Sequence, residues 1–267
     1  MVNLLTGTAF DAAERMHHME DELTAQFPSS VSSRARGLNA LKAQNWLVGK
    51  KGWTNPYITG GLVQQYDGIW NAGGGVHAGA ATVWKDLVGE NDATLTQYAT
   101  VAADCIQIQG RSGYAASFRG DITDEYTIEA VVLCKIPPDN APRITAEIPY
   151  PSLYFTSSPK ASTYFAFYGQ GLDAGFQGAS IDRTVRRHYA VTYTGAVLRS
   201  YVDGVACGTL TTNTKPSSVA TATIGNRISG SRGFNGEYCA FRRYSRALTA
   251  DEIHANYIID AIRFGAA

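Results

Sequence analysis

His188-Tyr-Ala-Val-Thr-Tyr193 is followed by Val197-Leu-Arg-Ser-Tyr-Val-Asp-Gly-Val-Ala-Cys-Gly-Thr-Leu210, and the fold is decided in this stretch. β-branched and aromatic residues fill three short runs, with Thr194-Gly195 and Asp203-Gly204 between them. An Asp-Gly pair suits the two-residue type I′ turn, whose twist matches that of the strands it joins. The stretch therefore predicts consecutive antiparallel strands. Working outward, Tyr126-Thr-Ile-Glu-Ala-Val-Val-Leu-Cys134 and Ser162-Thr-Tyr-Phe-Ala-Phe-Tyr168 have the same texture. Short strands at this spacing, separated by glycine-rich turns, predict a sandwich or barrel.

The two ends of the chain read differently. Thr249 and Glu252 have the spacing of a capping box, and Ile253, Tyr257, Ile258, Ala261 and Ile262 follow at core spacing, which predicts a C-terminal helix. At the start, Thr8 and Asp11 precede the series Ala9, Ala13, Met16, Glu20, Leu23 and Phe27. That series predicts an amphipathic helix ending at Pro28. With Glu20 in the seam, it does not establish a coiled coil. A second helical stretch is expected from Ser33 to Leu47, with Leu38, Leu41 and Trp46 facing inward, and Gly49 to Gly61 reads as a linker. The organisation expected is a helical N-terminal arm over residues 1–60 and a sandwich over 61–267. Phe10, Met16, Leu23, Phe27 and Trp46 are the arm's candidate docking residues.

Composition narrows the function classes. The 267 residues are 45% hydrophobic, with 23 basic and 23 acidic side chains and no net charge. A balanced charge gives no basic field for nucleic acid or an anionic membrane surface. The first residues lack the basic and apolar regions of a secretory signal. No window reaches the roughly 18 apolar residues that a membrane helix needs. Cys105, Cys134, Cys207 and Cys239 lie far apart, with no CxxC spacing. Three pairings are formally open, and four buried free thiols are expected.

Three stretches carry a family resemblance. The first is Gly61-Leu-Val-Gln-Gln-Tyr-Asp-Gly-Ile-Trp-Asn-Ala-Gly-Gly-Gly-Val-His77, leading to Thr82-Val-Trp-Lys-Asp-Leu-Val-Gly89. The second is His188 to Gly195 followed by Leu198 to Gly204. The third is Ile224-Gly-Asn226, then Phe234-Asn-Gly-Glu-Tyr-Cys-Ala-Phe-Arg-Arg-Tyr-Ser-Arg-Ala-Leu-Thr-Ala-Asp-Glu-Ile253. Together they resemble the LamG-like (laminin G/concanavalin A-like) jelly-roll domains of bacterial surface proteins and of phage and prophage structural proteins. The resemblance runs from about Leu62 to Phe264. It implies an all-β fold of two antiparallel sheets, binding of glycans or protein partners, and often a calcium ion at the rim.

The same fold includes glucanases, whose branch resembles Glu-x-Asp-x-Glu on one strand. No such triplet occurs here, and Asp121, Asp124 and Glu125 read as a polar turn before a strand. There is no HExxH and no GxSxG. The expectation is therefore a chain that is no enzyme and needs no cofactor, with a glycoside hydrolase as the outlying alternative. For a structural calcium, Asp86, Asn91 and Asp92 in one loop, or Asp121 and Asp124 in another, would be the ligands. His188 is expected to be exposed or hydrogen-bonded rather than a base. In Tyr164-Phe-Ala-Phe-Tyr168, Phe165 and Phe167 alternate with Tyr164 and Tyr168. Tyr164 and Tyr168, with Tyr150 and Tyr154, are the candidate ligand-binding residues, against the plainer reading of tyrosines packed beneath a loop or helix. The expected role is a virion component displaying its sandwich for recognition, such as a capsid-decorating, head-fibre or tail-associated protein. Its partners would be other virion proteins, further copies of itself and a cell-surface glycan. A glycan-binding lectin of a bacterial cell is the alternative.

Overall fold

The computed structural model describes residues 55–69, 82–102, 104–109, 116–118, 124–135, 143–148, 152–156, 164–169, 172–175, 182–211, 221–226 and 232–266. The predicted helices before residue 55 and the docking residues Phe10, Met16, Leu23, Phe27 and Trp46 lie outside them. In chain order the strands begin with β1 (Leu62–Asp67), β2 (Val83–Trp84), β3 (Ala93–Leu95) and β4 (Ala99–Val101). Then come β5 (Ile106–Ile108), β6 (Ala116–Phe118), β7 (Tyr126–Cys134) and β8 (Arg143–Ile148). β9 (Ser152–Thr156), β10 (Tyr164–Gly169), β11 (Leu172–Gly175) and β12 (Arg187–Tyr193) follow. β13 (Val197–Val202), β14 (Val205–Thr211), β15 (Thr221–Ile224) and β16 (Gly236–Tyr244) complete the strands, and helix α1 (Ala250–Phe264) comes last.

Two antiparallel sheets form. In the first the order is β14-β13-β12-β7-β16-β5-β4, with β1 also on β16; in the second it is β11-β10-β9-β8-β15-β6-β3-β2. The Asp203-Gly204 turn between β13 and β14 has both residues at positive φ, 51° and 72°, as a type I′ turn requires. Thr249 caps α1 with the full reciprocal box, and Gly265 ends it in the left-handed conformation.

The main core lies between the sheets. Tyr66 is at its centre, with ring centroids 5.4 Å from Trp84, 5.3 Å from Phe118 and 5.7 Å from Phe241. From the first sheet, Ile128, Ala130, Val132, Tyr189, Val191 and Tyr238 join this core, and Leu95, Leu153, Ala222 and Ile224 do so from the second. β7 and β12 are buried along nearly their whole length. Alternation sends every second residue to the opposite face, so a sandwich alone would leave half of these positions wet. Helix α1 supplies the missing cover, with Ala190, Tyr201, Tyr244, Leu248 and Ile253 forming a second apolar cluster.

Residues 55–58 belong to this packed body. Tyr57 is buried and its hydroxyl donates to Asp260 Oδ1 at 2.7 Å, while the Ile58 amide donates to Asn256 Oδ1 at 3.0 Å. The helix also turns a face inward that differs from the predicted one. Ile253 and Ile258 are buried as expected, but Tyr257, Ala261 and Ile262 are only half-buried, and Asn256, Asp260 and Arg263 take the inward positions.

Candidate functional site

Polar groups gather where α1 meets the outer face of the first sheet. Arg242 is fully buried, with Nε 2.7 Å from Glu129 Oε2 and Nη1 3.0 Å from Asp260 Oδ1. Its guanidinium stacks 3.9 Å from the centre of the Tyr57 ring. Asn256 Nδ2 donates to both oxygens of Glu129, at 3.1 and 3.0 Å. Arg263 pairs with Asp67 and donates to Tyr57 Oη at 2.8 Å. Burial pushes the Glu129 carboxyl up, but the Arg242 charge and the neighbouring His188 outweigh it and hold it at about 2. Carboxylates this enclosed hold the helix on the sheet and are closed to a substrate from solvent. Of the two alternatives expected for His188, exposed or hydrogen-bonded, exposure does not hold. It is fully buried, with Nε2 3.5 Å from Glu129 Oε1 and 3.7 Å from Asp260 Oδ2.

The loop acids after Trp84 are turn formers. Asp86 accepts from the amides of Gln65 and Val88 with Oδ1 and from that of Asn91 with Oδ2, at 3.0, 3.2 and 3.3 Å. Asp92 accepts from the Asp86 amide at 3.0 Å and pairs with Lys85. Asp121, of the other candidate loop, lies outside the described residues, while Asp124 and Glu125 are exposed at the entry to β7. Of the thiols, Cys105, Cys134 and Cys239 are buried and free; Cys207 is free but only half-buried, which corrects the expectation of four buried ones.

The candidate tyrosines fall on the second sheet, whereas among the described residues the helix covers the first. β9 and β10 pair in register, with Tyr164 opposite Thr156, Ala166 opposite Tyr154 and Tyr168 opposite Ser152. Tyr154 thus stands across the ladder from the position midway between Tyr164 and Tyr168. Leu153, fully buried in the core, stands opposite Phe167. Tyr150 lies outside the described residues. Sequence reasoning missed the Glu129–Arg242–Asp260 cluster entirely; its one visible signal was the polar series Asn256, Asp260 and Arg263 on an otherwise apolar helix face.

Residues 109–254 match a laminin G family model, described as the concanavalin A-like lectin/glucanases superfamily. The chain belongs to this family. A search of curated proteins finds no match for this concanavalin A-like chain. Among solved structures it is similar to Trypanosoma rangeli sialidase, with a TM-score of 0.54 and 15% identity. It is similar also to that sialidase in complex with sialic acid, with a TM-score of 0.56 and 16% identity. In both cases 84% of this chain is covered, which amounts to only 38% of the sialidase chain. Domain 4 of AbnA, a GH43 extracellular arabinanase from Geobacillus stearothermophilus, in complex with arabinotriose, gives 0.49 and 12%, covering 72% of this chain and 96% of that one.

The expectation of a chain that is no enzyme is corrected by the sialidase likeness. Sialidase chains share this concanavalin A-like fold, so the fold gives no ground for setting catalysis aside. At 15% identity over 38% of that chain, the likeness shows a common fold and does not carry an activity across.

Proposed function

We propose that this concanavalin A-like chain recognises a glycan through the second sheet, at the rows of Tyr154, Tyr164 and Tyr168. The carrying observation is the β9–β10 register, which gathers these three tyrosines on adjacent strands, away from the sheet that α1 covers. Successive positions of one row are about 7 Å apart and neighbouring strands about 4.8 Å apart, so the position of Tyr154, opposite Ala166, lies between those of Tyr164 and Tyr168. Tyrosine joins an apolar ring to a hydroxyl and costs little entropy to immobilise, which suits the alternating apolar and hydroxyl faces of a sugar. The sialic acid complex of the sialidase lends support at the level of ligand class. In this reading residues 1–60 attach the module to a larger carrier, a phage or prophage particle, where further copies sit alongside.

The test is a glycan array on the full chain, followed by titration of the hits. Tyr164→Ala and Tyr168→Ala should each weaken binding at least tenfold while leaving the unfolding midpoint within a few degrees of the parent. An array without signal above background refutes the glycan reading. Co-sedimentation with assembled particles tests the carrier, and particle association that survives deletion of residues 1–54, which leaves the packed residues 55–58 in place, refutes the role of the arm.

A further inference from the structure

We infer that Cys105 and Cys239 form a disulfide-forming site, a covalent modification point that joins the start of β5 to β16. Three features support it. The β5–β16 ladder pairs Gly236 with Ile108, Glu237 with Gln107 and Tyr238 with Ile106. Cys105 and Cys239 are the next residue on each strand beyond that register, Cys239 being the bulged residue of β16.

The two sulfurs already face each other. Both Sγ atoms, with a Glu237 carboxylate oxygen, fall within 4.8 Å of one another, and the thiols share a hydrogen bond. That hydrogen bond, together with burial, keeps the Cys239 thiol well above its ordinary range.

Arg186 fixes both flanks. Its Nη2 donates to Asp104 Oδ1 at 3.0 Å, its Nε donates to Glu237 Oε2 at 2.7 Å, and its Nη1 donates to the Phe264 carbonyl at 2.9 Å. One guanidinium thus ties the residue before Cys105 to the strand that carries Cys239. The same Arg186 ion-pairs with Glu237, so the third potential metal ligand is already engaged. This favours a sulfur–sulfur bond over a metal at the pair.

The oxidant is a low-molecular-weight disulfide, R–S–S–R. One protein thiol loses its proton and its thiolate attacks a sulfur of R–S–S–R, breaking that S–S bond, forming a mixed disulfide and releasing the first RS⁻. The second protein thiol, deprotonated in turn, attacks the protein sulfur of the mixed disulfide and releases the second RS⁻. The protein pair loses two electrons and two protons, and R–S–S–R leaves as two RSH. Both cysteines share a buried cluster with Phe264 and Ala266.

The test incubates the reduced full chain with oxidised glutathione, alkylates the remaining thiols in denaturant and maps peptides without reduction. Two of the four thiols should resist alkylation, in a single linked species joining Cys105 to Cys239. The midpoint of thermal unfolding should rise by about 10 °C and return with dithiothreitol. Repetition in Cys207→Ala, which lacks only the half-buried thiol, should give the same linked species. Four alkylated thiols, a stable mixed disulfide, or a link through Cys134 or Cys207 would each overturn the inference. So would a zinc ion held by the reduced chain in native mass spectra and lost to a chelator, which would assign the pair to a metal.

Discussion

Replacing Arg242 by Met keeps the length of the side chain and removes the one cation between Glu129 and Asp260. After the change Glu129 keeps Asn256 as a neutral donor and Asp260 keeps Tyr57, but neither keeps an arginine. Removing one partner of a buried ion pair costs about 3–5 kcal/mol, because the remaining charge stays out of water without compensation. In urea the loss should appear as a midpoint lower by about 1.5–2 M at neutral pH. The sign with pH follows from the same geometry. Without their cation, buried carboxylates titrate above their unfolded values. They favour folding in acid, and the benefit is lost as pH rises beyond about 4.5. The gap between parent and variant should therefore be narrow at pH 4 and widest near pH 7. Arg242→Met/Glu129→Gln/Asp260→Asn should recover most of the loss, since well-packed neutral replacements of buried ion pairs are often tolerated. A single variant that loses less than about 1 kcal/mol, or a gap that does not change with pH, would refute the view that these charges fasten the helix.

Gly236→Ala should cost about 3 kcal/mol or more, because its Cβ would sit 1.9 Å from the Leu133 carbonyl oxygen at a φ of +155°; insoluble expression or a lowered midpoint would read it. Thr249→Ala should remove about 1 kcal/mol through loss of the cap, with the strand signal in circular dichroism unchanged. Acid titration of the parent should show stability falling as pH drops from about 4.5 toward 2, because Glu129 and Glu252 are both held at about 2 in the folded state. A group with a lowered folded value contributes above its unfolded value and loses that contribution as the folded value is passed. Glu129→Gln should flatten that fall, whatever its effect at neutral pH.

Much of the fold was legible because local chemistry and global packing agree. β-branched runs, the Asp203-Gly204 turn and the Thr249–Glu252 box each depend on neighbours close in sequence, and each formed where the pattern placed it. Arg242 was not legible, for a physical reason. The pairing of β16 with β7 shifts between Tyr238 and Ala240, so Cys239 is an extra residue in the ladder. Simple alternation from Tyr238, a core residue, would send Arg242 into the main core. The bulge reverses the faces, so Phe241 enters the core and Arg242 meets Asp260. Tyr57 was hidden differently, in a stretch whose glycines and proline read as a linker, because its partner Asp260 stands 203 residues away. The tyrosine rows were visible as alternation along β10, whereas the position of Tyr154 across from them needed the strand pairing.

The tie between Tyr57 and α1 has a consequence for synthesis. β1 pairs with β16, and Tyr57, Asp67 and Ile58 all find their partners in the final helix. The first described strand therefore waits on β16 and α1, and the charges that α1 neutralises remain hydrated until these arrive. A polypeptide interrupted before Ala250 can form strands yet cannot close this wall.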